Sequence, residues 1–408
     1  MPAPAEEFTP ASTAELARFL TANAAAPRQA IVPAGGRTSL RVGEPITAPA
    51  RLVSISAMQK VIDYPARDMT ITVESGIRVA DLQGILAGEG QRLPIDVPDA
   101  RRATLGGAIA ANASGPRRFG HGTFRDYVIG ISAVDGTGRP FSAGGRVVKN
   151  VAGYDLCKLM VGSLGTLAVI TQVTLKLRPV PETQRVLWLT ASSPEQIEAW
   201  MVRLGLSQTR PVMIEVLNKR AISALAAESR VELPAGDLAL AVAFEGSLNE
   251  CDWQMTTVEK ELGPAAGAGV LTLADPQATA LLQALGEFQA AGDDPVTFAA
   301  SVPSSQVAGF VSEASRNGVS VQAHAANGIV IGHLPDRCVT AAAARDIIAP
   351  LRLTAESAGG SLVVWNCEDE WKPTLSVFGT SRPARRWMQE VKMSLDPHGV
   401  LSPRRMPG

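Results

Sequence analysis

The segment Ile31–Leu40 has the composition of a loop that binds an anion. Its β-branched start is followed by Pro33, Ala34, Gly35, Gly36, Arg37, Thr38 and Ser39. Two adjacent glycines allow the backbone to turn its N–H groups inward, and the hydroxyl groups beside them add donors, so the loop can wrap a diphosphate. On this hypothesis Gly36 has a positive φ angle, and a side chain there would occupy the space of the diphosphate. Taken alone, the loop is also compatible with an ordinary turn.

Three further glycine-rich blocks follow in the first half of the chain. Ala103–Gly115 consists of small residues that let a flat ligand lie close to the backbone, although the start of a tightly packed helix has the same composition. The next block is Gly120–Val128, and the last comprises Lys149–Leu156 and Gly162–Thr171. Neither a Walker A loop nor a G-x-G-x-x-G Rossmann turn is found in the sequence.

The order and spacing of the four blocks resemble the FAD-binding domain of the vanillyl-alcohol oxidase and D-lactate dehydrogenase flavoprotein family. The resemblance implies an α+β, PCMH-type domain of two subdomains that binds FAD. Some relatives attach FAD covalently through a histidine of the first loop, and Arg37 occupies that place here, which implies noncovalent FAD. Besides the first loop, the resemblance implies cofactor contacts from Thr104, Leu105, Gly106, Gly107, Ala111, Asn112, Ser114, Gly120, Arg125, Asp126, Gly165, Val169 and Ile170.

The composition indicates an enzyme with more than one domain. A chain of 408 residues with 46% hydrophobic residues can form two or three cores. Its 38 basic and 39 acidic side chains nearly balance and aromatic residues make up 5%, which argues against a nucleic-acid-binding surface. There is no signal-peptide pattern and no apolar run of the ~20 residues that span a bilayer. We therefore expect a cytoplasmic protein that reaches a membrane only through partners.

The four cysteines of the chain are spread singly along the sequence. Iron–sulfur clusters and structural zinc sites need clustered ligands, so we expect neither kind of metal centre in this chain. Each cysteine is expected to be a buried, reduced thiol.

Local patterns predict the elements that position the glycine-rich blocks. Ser12 and Glu15 form a capping box that predicts a helix before the strand at Ala30–Val32. Asp135–Gly138 predicts a hairpin, and Arg178–Pro181 predicts a boundary, so residues 1–180 are expected to form the FAD-binding domain. Further strands are predicted at Leu52–Ile55, Met69–Glu74, Ile129–Val134, Arg139–Ser142 and Leu167–Leu177.

The second half alternates strand and helix patterns. This alternation predicts an α+β cap domain with ferredoxin-like βαβ units over residues 181–384. Within it, Gly263–Asp294 opens with a run rich in glycine, alanine and proline and is predicted to be flexible. The end of the chain, Asp396–Pro403, resembles the family's closing Asp-Pro-x-Gly-Ile-Leu-Asn-Pro, with Ser402 in place of asparagine. Residues 385–408 are therefore expected to form a last helix and tail that return to the FAD-binding domain.

The substrate site of the family is only partly matched. For the 2-hydroxyacid dehydrogenases of this family, the resemblance implies a metal-and-histidine site. Its residues would come from an H-x-x-x-G-x-x-H motif and a later Glu-His-Gly. His324 and Gly328 match the first half, but Ile331 stands at the second histidine position and His333 lies two residues later, on the same face if the segment is a strand. Val363–Glu368 contains no histidine where Glu-His-Gly is expected. We expect no metal site, and His324, the candidate catalytic residue, is expected to be structural.

Over its whole length the chain resembles the smaller FAD-binding subunits of bacterial glycolate oxidases. That resemblance implies oxidation of glycolate, a small 2-hydroxyacid, to glyoxylate in a complex. A second FAD-binding catalytic subunit would carry the intact metal motif, and an iron–sulfur subunit would receive the electrons. Two alternatives stay open: a self-sufficient FAD-dependent 2-hydroxyacid dehydrogenase with its base elsewhere, and a flavin-bearing subunit without turnover that supports assembly or relays electrons.

Overall fold

A computed structural model describes residues 6–25, 27–46, 49–145, 154–263, 269–290, 294–380 and 384–406. Its strands are β1 (Glu6–Phe8), β2 (Ala30–Ala34), β3 (Ala50–Ser54), β4 (Val61–Asp63), β5 (Thr70–Glu74), β6 (Gln91–Arg92), β7 (Val128–Asp135), β8 (Pro140–Gly144), β9 (Ala168–Lys176), β10 (Arg178–Pro179), β11 (Thr183–Ala191), β12 (Met213–Asn218), β13 (Leu238–Gly246), β14 (Val270–Ala274), β15 (Thr297–Ser301), β16 (Ser320–His324), β17 (Ile329–His333) and β18 (Ser361–Asn366). Its α-helices are α1 (Thr13–Ala25), α2 (Val79–Ala87), α3 (Leu105–Ala111), α4 (Arg118–His121), α5 (Phe124–Tyr127), α6 (Leu156–Met160), α7 (Pro194–Leu206), α8 (Lys219–Ser229), α9 (Leu248–Leu262), α10 (Gln277–Glu287), α11 (Val307–Arg316), α12 (Ala341–Ser357), α13 (Lys372–Leu375) and α14 (Arg385–Leu395).

The chain divides into two compact units. The first unit comprises Met1–Ser114, Gly122–Val180 and Thr380–Gly408, and the second comprises Gly115–His121 and Pro181–Gly379. The short segment Gly115–His121 thus belongs to the second unit, although the sequence analysis placed it in the N-terminal domain. Polar contacts hold the segment there, since Arg117 and His121 both contact the buried carboxylate of Glu245, at 2.9 and 2.8 Å.

The first unit is built on two main sheets. β1, β3 and β2 form a parallel sheet, against which α1 packs Leu16 and Leu20. The expected cap of this helix is present, since the Glu15 N–H donates to Ser12 Oγ at 3.2 Å. The second sheet is antiparallel with the order β4-β5-β9-β7-β8, and α2 and α3 cover its hydrophobic core. This arrangement confirms the predicted domain of two subdomains.

The second unit is built on one antiparallel sheet of eight strands. Its order is β14-β11-β13-β12-β16-β17-β15-β18. β11–β14 and β15–β18 each have the strand order of a ferredoxin-like unit in the sheet, and the pairing of β12 with β16 joins these two halves edge to edge. β15–β18 follow the strand–helix–strand–strand–helix–strand pattern, whereas α8 is inserted between β12 and β13 in the first half. Hydrophobic clusters pack on both faces of the sheet. The predicted ferredoxin-like architecture is therefore confirmed, in two copies.

The prediction that Gly263–Asp294 is flexible is wrong for most of the segment. β14 pairs with β11, and α10 buries Leu281 and Leu285 against the sheet. The run rich in glycine and alanine continues into apolar residues at helical spacing, and burial of those residues decides the structure. Residues 264–268 and 291–293 lie outside the described residues.

The C-terminal tail lies beside β2 in the first unit. The Ile31 N–H donates to the Val400 carbonyl at 2.8 Å, and the Ser402 N–H donates to the Ile31 carbonyl at 2.7 Å. The expected return of the tail is present in these contacts. Through the described ranges of the chain, no helix is both long and apolar enough to cross a bilayer.

Candidate functional site

A cleft in the first unit brings together three of the four glycine-rich blocks. It has about 640 Å³ of space between its walls, part of it open to solvent. Its walls come from the loop after β2, the first turns of α3 and the turn before β9. Of the residues named from the sequence, those that line the cleft are Pro33, Ala34, Gly35, Gly36, Arg37, Thr38, Ser39, Thr104, Gly106, Gly107, Ala111, Gly165, Val169 and Ile170.

The loop after β2 presents backbone donors to this cleft. Within the described part of the chain, none of the N–H groups of Gly35–Ser39 donates a hydrogen bond. Arg37 adopts a left-handed conformation with a φ of 62°, and its guanidinium binds Glu7 at 2.6 Å. A run of N–H groups around such a residue is the backbone arrangement that cradles anions. The loop can therefore hold a phosphate group.

Gly35 and Gly36 make room for neighbouring protein atoms, whereas the sequence predicted that they make room for the diphosphate. A Cβ atom on Gly36 would lie 1.7 Å from the carbonyl oxygen of Arg102, and one on Gly35 would lie 1.8 Å from Thr104 Oγ1. Neither glycine has a positive φ angle, which is found at Arg37 instead. Gly35 and Gly36 thus allow the first loop to pack on the segment before α3, and a side chain on Gly36 would meet protein backbone rather than a ligand.

Helix α3 supplies a floor of small residues. Thr104 caps it by accepting from the Gly107 N–H at 3.3 Å, and the N–H groups of Leu105 and Gly106 donate to the carbonyls of Ile77 and Ser75. The first-turn donors of the helix are therefore already used. What α3 offers the cleft is a surface without large side chains, on which a flat ring system can lie.

The turn before β9 is held against α3 by backbone contacts. The Gly162 N–H donates to the Ile109 carbonyl at 3.0 Å, and the Leu164 N–H donates to the Ala110 carbonyl at 2.8 Å. Gly165 has a φ of 67° and lies against the ring of Pro33. The part of the fourth block at Lys149–Gly153 lies outside the described residues.

Six residues named from the sequence do not line the cleft. Leu105 is in the hydrophobic core and Asn112 ends α3 in a left-handed conformation. Asp126 accepts from the Thr123 N–H in the capping box of α5, and Arg125 donates to the Lys158 carbonyl. Gly120 packs on Val212 in the second unit. The sixth residue is Ser114, which is buried.

Sequence reasoning missed several lining residues. Most are apolar and carry no chemical signal: Leu40, Ile55, Ala110, Leu164 and Ala168. The exception is Arg405, a charged residue that lies 366 positions after Ser39 of the first loop. No spacing rule connects it to the loop, although its place after the family-like closing segment could have drawn attention to it.

The candidate catalytic residue His324 belongs to a buried polar cluster in the second unit. Its Nδ1 lies 2.8 and 3.0 Å from the two carboxylate oxygens of Glu215, the residue opposite it on β12. Gln322 also donates to Glu215, at 2.9 Å. Glu215 has no exposed surface and His324 is 3% exposed. His324 and Glu215 are thus buried together and bound to each other inside the second unit.

The remaining positions of the family's metal motif lie apart. His324 pairs with Ile329 across the β16–β17 hairpin, whereas His333 pairs with Ser320 at the other end. The two histidines are therefore about four residues apart along the hairpin, or roughly 13 Å. At that separation they cannot bind the same metal ion. Across the described ranges, no group of three or more His, Cys, Asp or Glu side chains is placed to hold a metal ion.

The four cysteines are buried thiols, and none of them forms a disulfide bond. Burial raises the pKa of both Cys157 and Cys251 to about 11, so their thiols stay protonated at neutral pH.

Two family models match consecutive parts of the chain. The FAD binding domain matches residues 4–144, and the C-terminal domain of FAD linked oxidases matches residues 180–349. The chain belongs to the FAD-linked oxidases. It is an oxidoreductase, and FAD is its cofactor.

Curated relatives and solved structures agree with this family. Glycolate oxidase subunit GlcD of Bacillus subtilis is 26% identical over 418 residues, covering 98% of this chain and 88% of that protein. Glycolate oxidase subunit GlcE of Escherichia coli is 34% identical over 173 residues, covering 41% of this chain and 49% of that protein. The structure of 4-ethylphenol oxidase from Gulosibacter chungangensis superposes with a TM-score of 0.73 at 14% identity, covering 98% of this chain and 88% of that one. The fold is the VAO/PCMH-type FAD-binding fold.

The residues of the cleft fit this cofactor. Donors without acceptors at Gly35–Ser39 suit a diphosphate, and the small-residue floor of α3 suits a flat ring. FAD, when bound, accepts a hydride from a substrate carbon. The protein residues would hold and orient it.

Proposed function

We propose that this chain is the FAD-binding subunit of a complex that oxidises glycolate to glyoxylate. Electrons would pass from its FAD to a partner iron–sulfur subunit, and a second FAD-binding subunit would carry the catalytic metal motif. The observation that carries the proposal is a contrast within one chain. The cofactor cleft has backbone N–H donors for a diphosphate and a surface of small residues for a flat ring. In the second unit, by contrast, His324 is bound to Glu215, and Ile331 stands where the family's metal motif has its second histidine.

The reaction needs groups that this chain supplies incompletely. Oxidation of a 2-hydroxyacid removes a hydride from carbon and a proton from the hydroxyl group, and a cation must hold the carboxylate. The buried Glu215 binds Nδ1 of His324, so only Nε2 of that ring is left to contact another group. At the position of the expected Glu-His-Gly, the end of β18 carries Asn366, which does not accept a proton at neutral pH. A partner subunit would therefore provide the base and the cation.

The names of the relatives support a multi-subunit enzyme. Both GlcD and GlcE are described as subunits of glycolate oxidase. In the proposed complex the substrate is a small 2-hydroxyacid, and attachment to the cytoplasmic face of a membrane would occur only through the partners.

Turnover of the isolated chain tests the proposal. Ordinary enzymatic rates are on the order of 1–1,000 per second. We expect the purified chain to reduce a dye with glycolate or D-lactate at a rate well below this range. The complex purified from native cells through a tag on this chain should reach those rates. It should also contain iron, acid-labile sulfide and about two FAD for each copy of this chain.

Either alternative function predicts a different result. Ordinary turnover by the isolated chain would favour a self-sufficient dehydrogenase. A purified complex with flavin but without glycolate turnover would favour a subunit for assembly or electron relay. Both results would contradict the proposal.

We propose further that FAD is bound noncovalently. The support is Arg37, which stands where relatives with covalent FAD have a histidine. Its guanidinium forms an ion pair with Glu7. Acid precipitation of the purified protein should leave the yellow colour in the supernatant. Colour in the pellet would contradict noncovalent attachment.

A further inference from the structure

The C-terminal tail is fixed to the first unit at several points before it reaches Arg405. Asp396 has no exposed surface, and its carboxylate accepts the N–H groups of Val400 and Leu401 at 3.1 and 2.8 Å. Lys392 contacts the same carboxylate and donates to the carbonyls of Thr166 and Leu401. Together with the pairing beside β2, these contacts hold the tail so that the following residues reach the cleft.

Arg405 places a buried positive charge at the cleft. It is 5% exposed and lines the cleft. Its Nε donates to the Val42 carbonyl at 3.0 Å, and its Nη2 donates to the Ser39 carbonyl. Among the residues that the structure describes, no carboxylate pairs with this guanidinium, and its Nη1 makes no hydrogen bond.

The charge of Arg405 persists at neutral pH. Burial lowers the pKa of Arg405 to about 10, and within the described ranges no neighbouring acid offsets this effect of burial. A buried cation without a counter-ion is unfavourable unless a ligand provides the negative charge. This observation is independent of the donors at Gly35–Ser39.

We infer that Arg405 is the cationic partner of the cofactor's diphosphate, so that the C-terminal tail is part of the FAD site. The inference rests on the proposed position of FAD in this cleft. Both the unpaired guanidinium and the unused N–H groups of the first loop need the same kind of ligand, a phosphate anion. A guanidinium can make two hydrogen bonds to a phosphate group, but two of its three nitrogens already bind carbonyls, so we expect a single contact through Nη1.

A purely structural role for Arg405 makes a different prediction. In that case the side chain only ties the tail to the turn at Ser39 and Val42. Its replacement would then weaken the apoprotein itself. If Arg405 binds phosphate, its replacement should instead weaken the binding of phosphate ligands. The apoprotein should then be as stable as before or more stable, because a buried unpaired charge has been removed.

The test compares Arg405→Gln, Arg405→Lys and Arg404→Gln in the full chain. Arg404 is the adjacent, exposed arginine, so its replacement makes the same change in net charge away from the cleft. Three quantities are measured on the apoprotein: the thermal midpoint, the Kd for FAD and the Kd for riboflavin, which lacks phosphate. Inorganic pyrophosphate serves as a second probe in thermal-shift experiments.

We expect Arg405→Gln to weaken FAD binding at least tenfold, to leave riboflavin binding within twofold and to abolish stabilisation by pyrophosphate. Arg405→Lys should retain most of the FAD affinity, and Arg404→Gln should match the wild type. Equal losses for FAD and riboflavin, or a lower apoprotein midpoint with unchanged FAD affinity, would overturn the inference. Should Arg405→Gln fail to fold, Arg405→Met, which also removes the charge but keeps an unbranched apolar side chain, takes its place: a loss of pyrophosphate stabilisation would support the inference and full retention would count against it. If the wild-type chain binds no FAD, the proposed function fails first.

Discussion

At the scale of single residues, Gly36 is the position where the smallest change should have the largest effect on the cofactor. A Cβ atom there would lie 1.7 Å from the Arg102 carbonyl oxygen, and backbone cannot move aside as a side chain can. We expect Gly36→Ala to separate the two loops, to lower the free energy of unfolding by about 1–3 kcal/mol and to reduce bound FAD per chain. Flavin absorbance per chain and denaturant unfolding measure the two effects.

Gly84 provides the matched control for Gly36. It lies within α2, and a Cβ atom there would have no atom within 4 Å. Gly84→Ala should therefore raise the free energy of unfolding by roughly 0.5–1 kcal/mol and leave FAD content unchanged. Full FAD content in Gly36→Ala would show that the packing of the two loops does not shape the cleft.

The Glu215–His324 pair allows a structural role to be separated from a catalytic one. Removing His324 takes one hydrogen-bond partner from a fully buried carboxylate, and we expect His324→Ala to lower the free energy of unfolding by about 3–5 kcal/mol. His324→Gln keeps a donor for Glu215 but cannot accept the substrate proton, so it should recover most of the stability. Turnover of the assembled complex should stay within a few-fold of the wild type for His324→Gln.

Denaturant unfolding and dye-coupled turnover of the two variants check this prediction. If His324→Gln is as stable as the wild type yet the complex has lost its activity, then His324 is a proton acceptor and its structural assignment is wrong.

At the scale of elements, helix α14 and its C-cap residue Asp396 form two i,i+4 ion pairs that differ in burial. Lys392–Asp396 has a carboxylate with no exposed surface, whereas Arg386 and Glu390 have side chains that are 85% and 50% exposed. We expect Asp396→Ala to lower the free energy of unfolding by about 3–5 kcal/mol and to release the tail from β2. Glu390→Ala should change it by less than about 0.5 kcal/mol.

Limited proteolysis of the C-terminal tail, with denaturant unfolding, measures both effects. Rapid loss of the tail is expected in Asp396→Ala alone. Equal effects of the two substitutions would mean that burial does not distinguish the pairs and that the tail is held mainly by its backbone contacts with Ile31.

At the scale of the whole molecule, the two units have separate hydrophobic cores. A ligand that binds one unit stabilises that unit by about 2.7 kcal/mol at a concentration of 100 times Kd. Five of the six tryptophans lie in the second unit, and Trp387 lies in the first. We expect added FAD to raise the temperature of flavin release and to leave the main tryptophan fluorescence transition unchanged.

Scanning fluorimetry with flavin and tryptophan emission recorded together checks this expectation. Riboflavin, which lacks the diphosphate, is the control and should shift the flavin transition less. A common shift of both transitions with FAD would show that the two units unfold as one cooperative body.

The sequence alone determined the elements and the cofactor class. Its alternating apolar residues and glycine-rich turns located β5 and β7–β9 to within a few residues, because local periodicity reports which side of an element is buried. The order of the four blocks indicated FAD, and the family matches agree. The absence of histidines near β18 was also visible from the sequence.

Tertiary structure decided the roles of individual residues. A side chain at position 36 would collide with Arg102, His324 is bound to Glu215, and Arg405 lines the cleft and contacts Ser39, 366 residues earlier in the chain. Each of these contacts joins residues far apart in the chain. Local propensity carries no information about such contacts, because packing of whole elements brings the residues together.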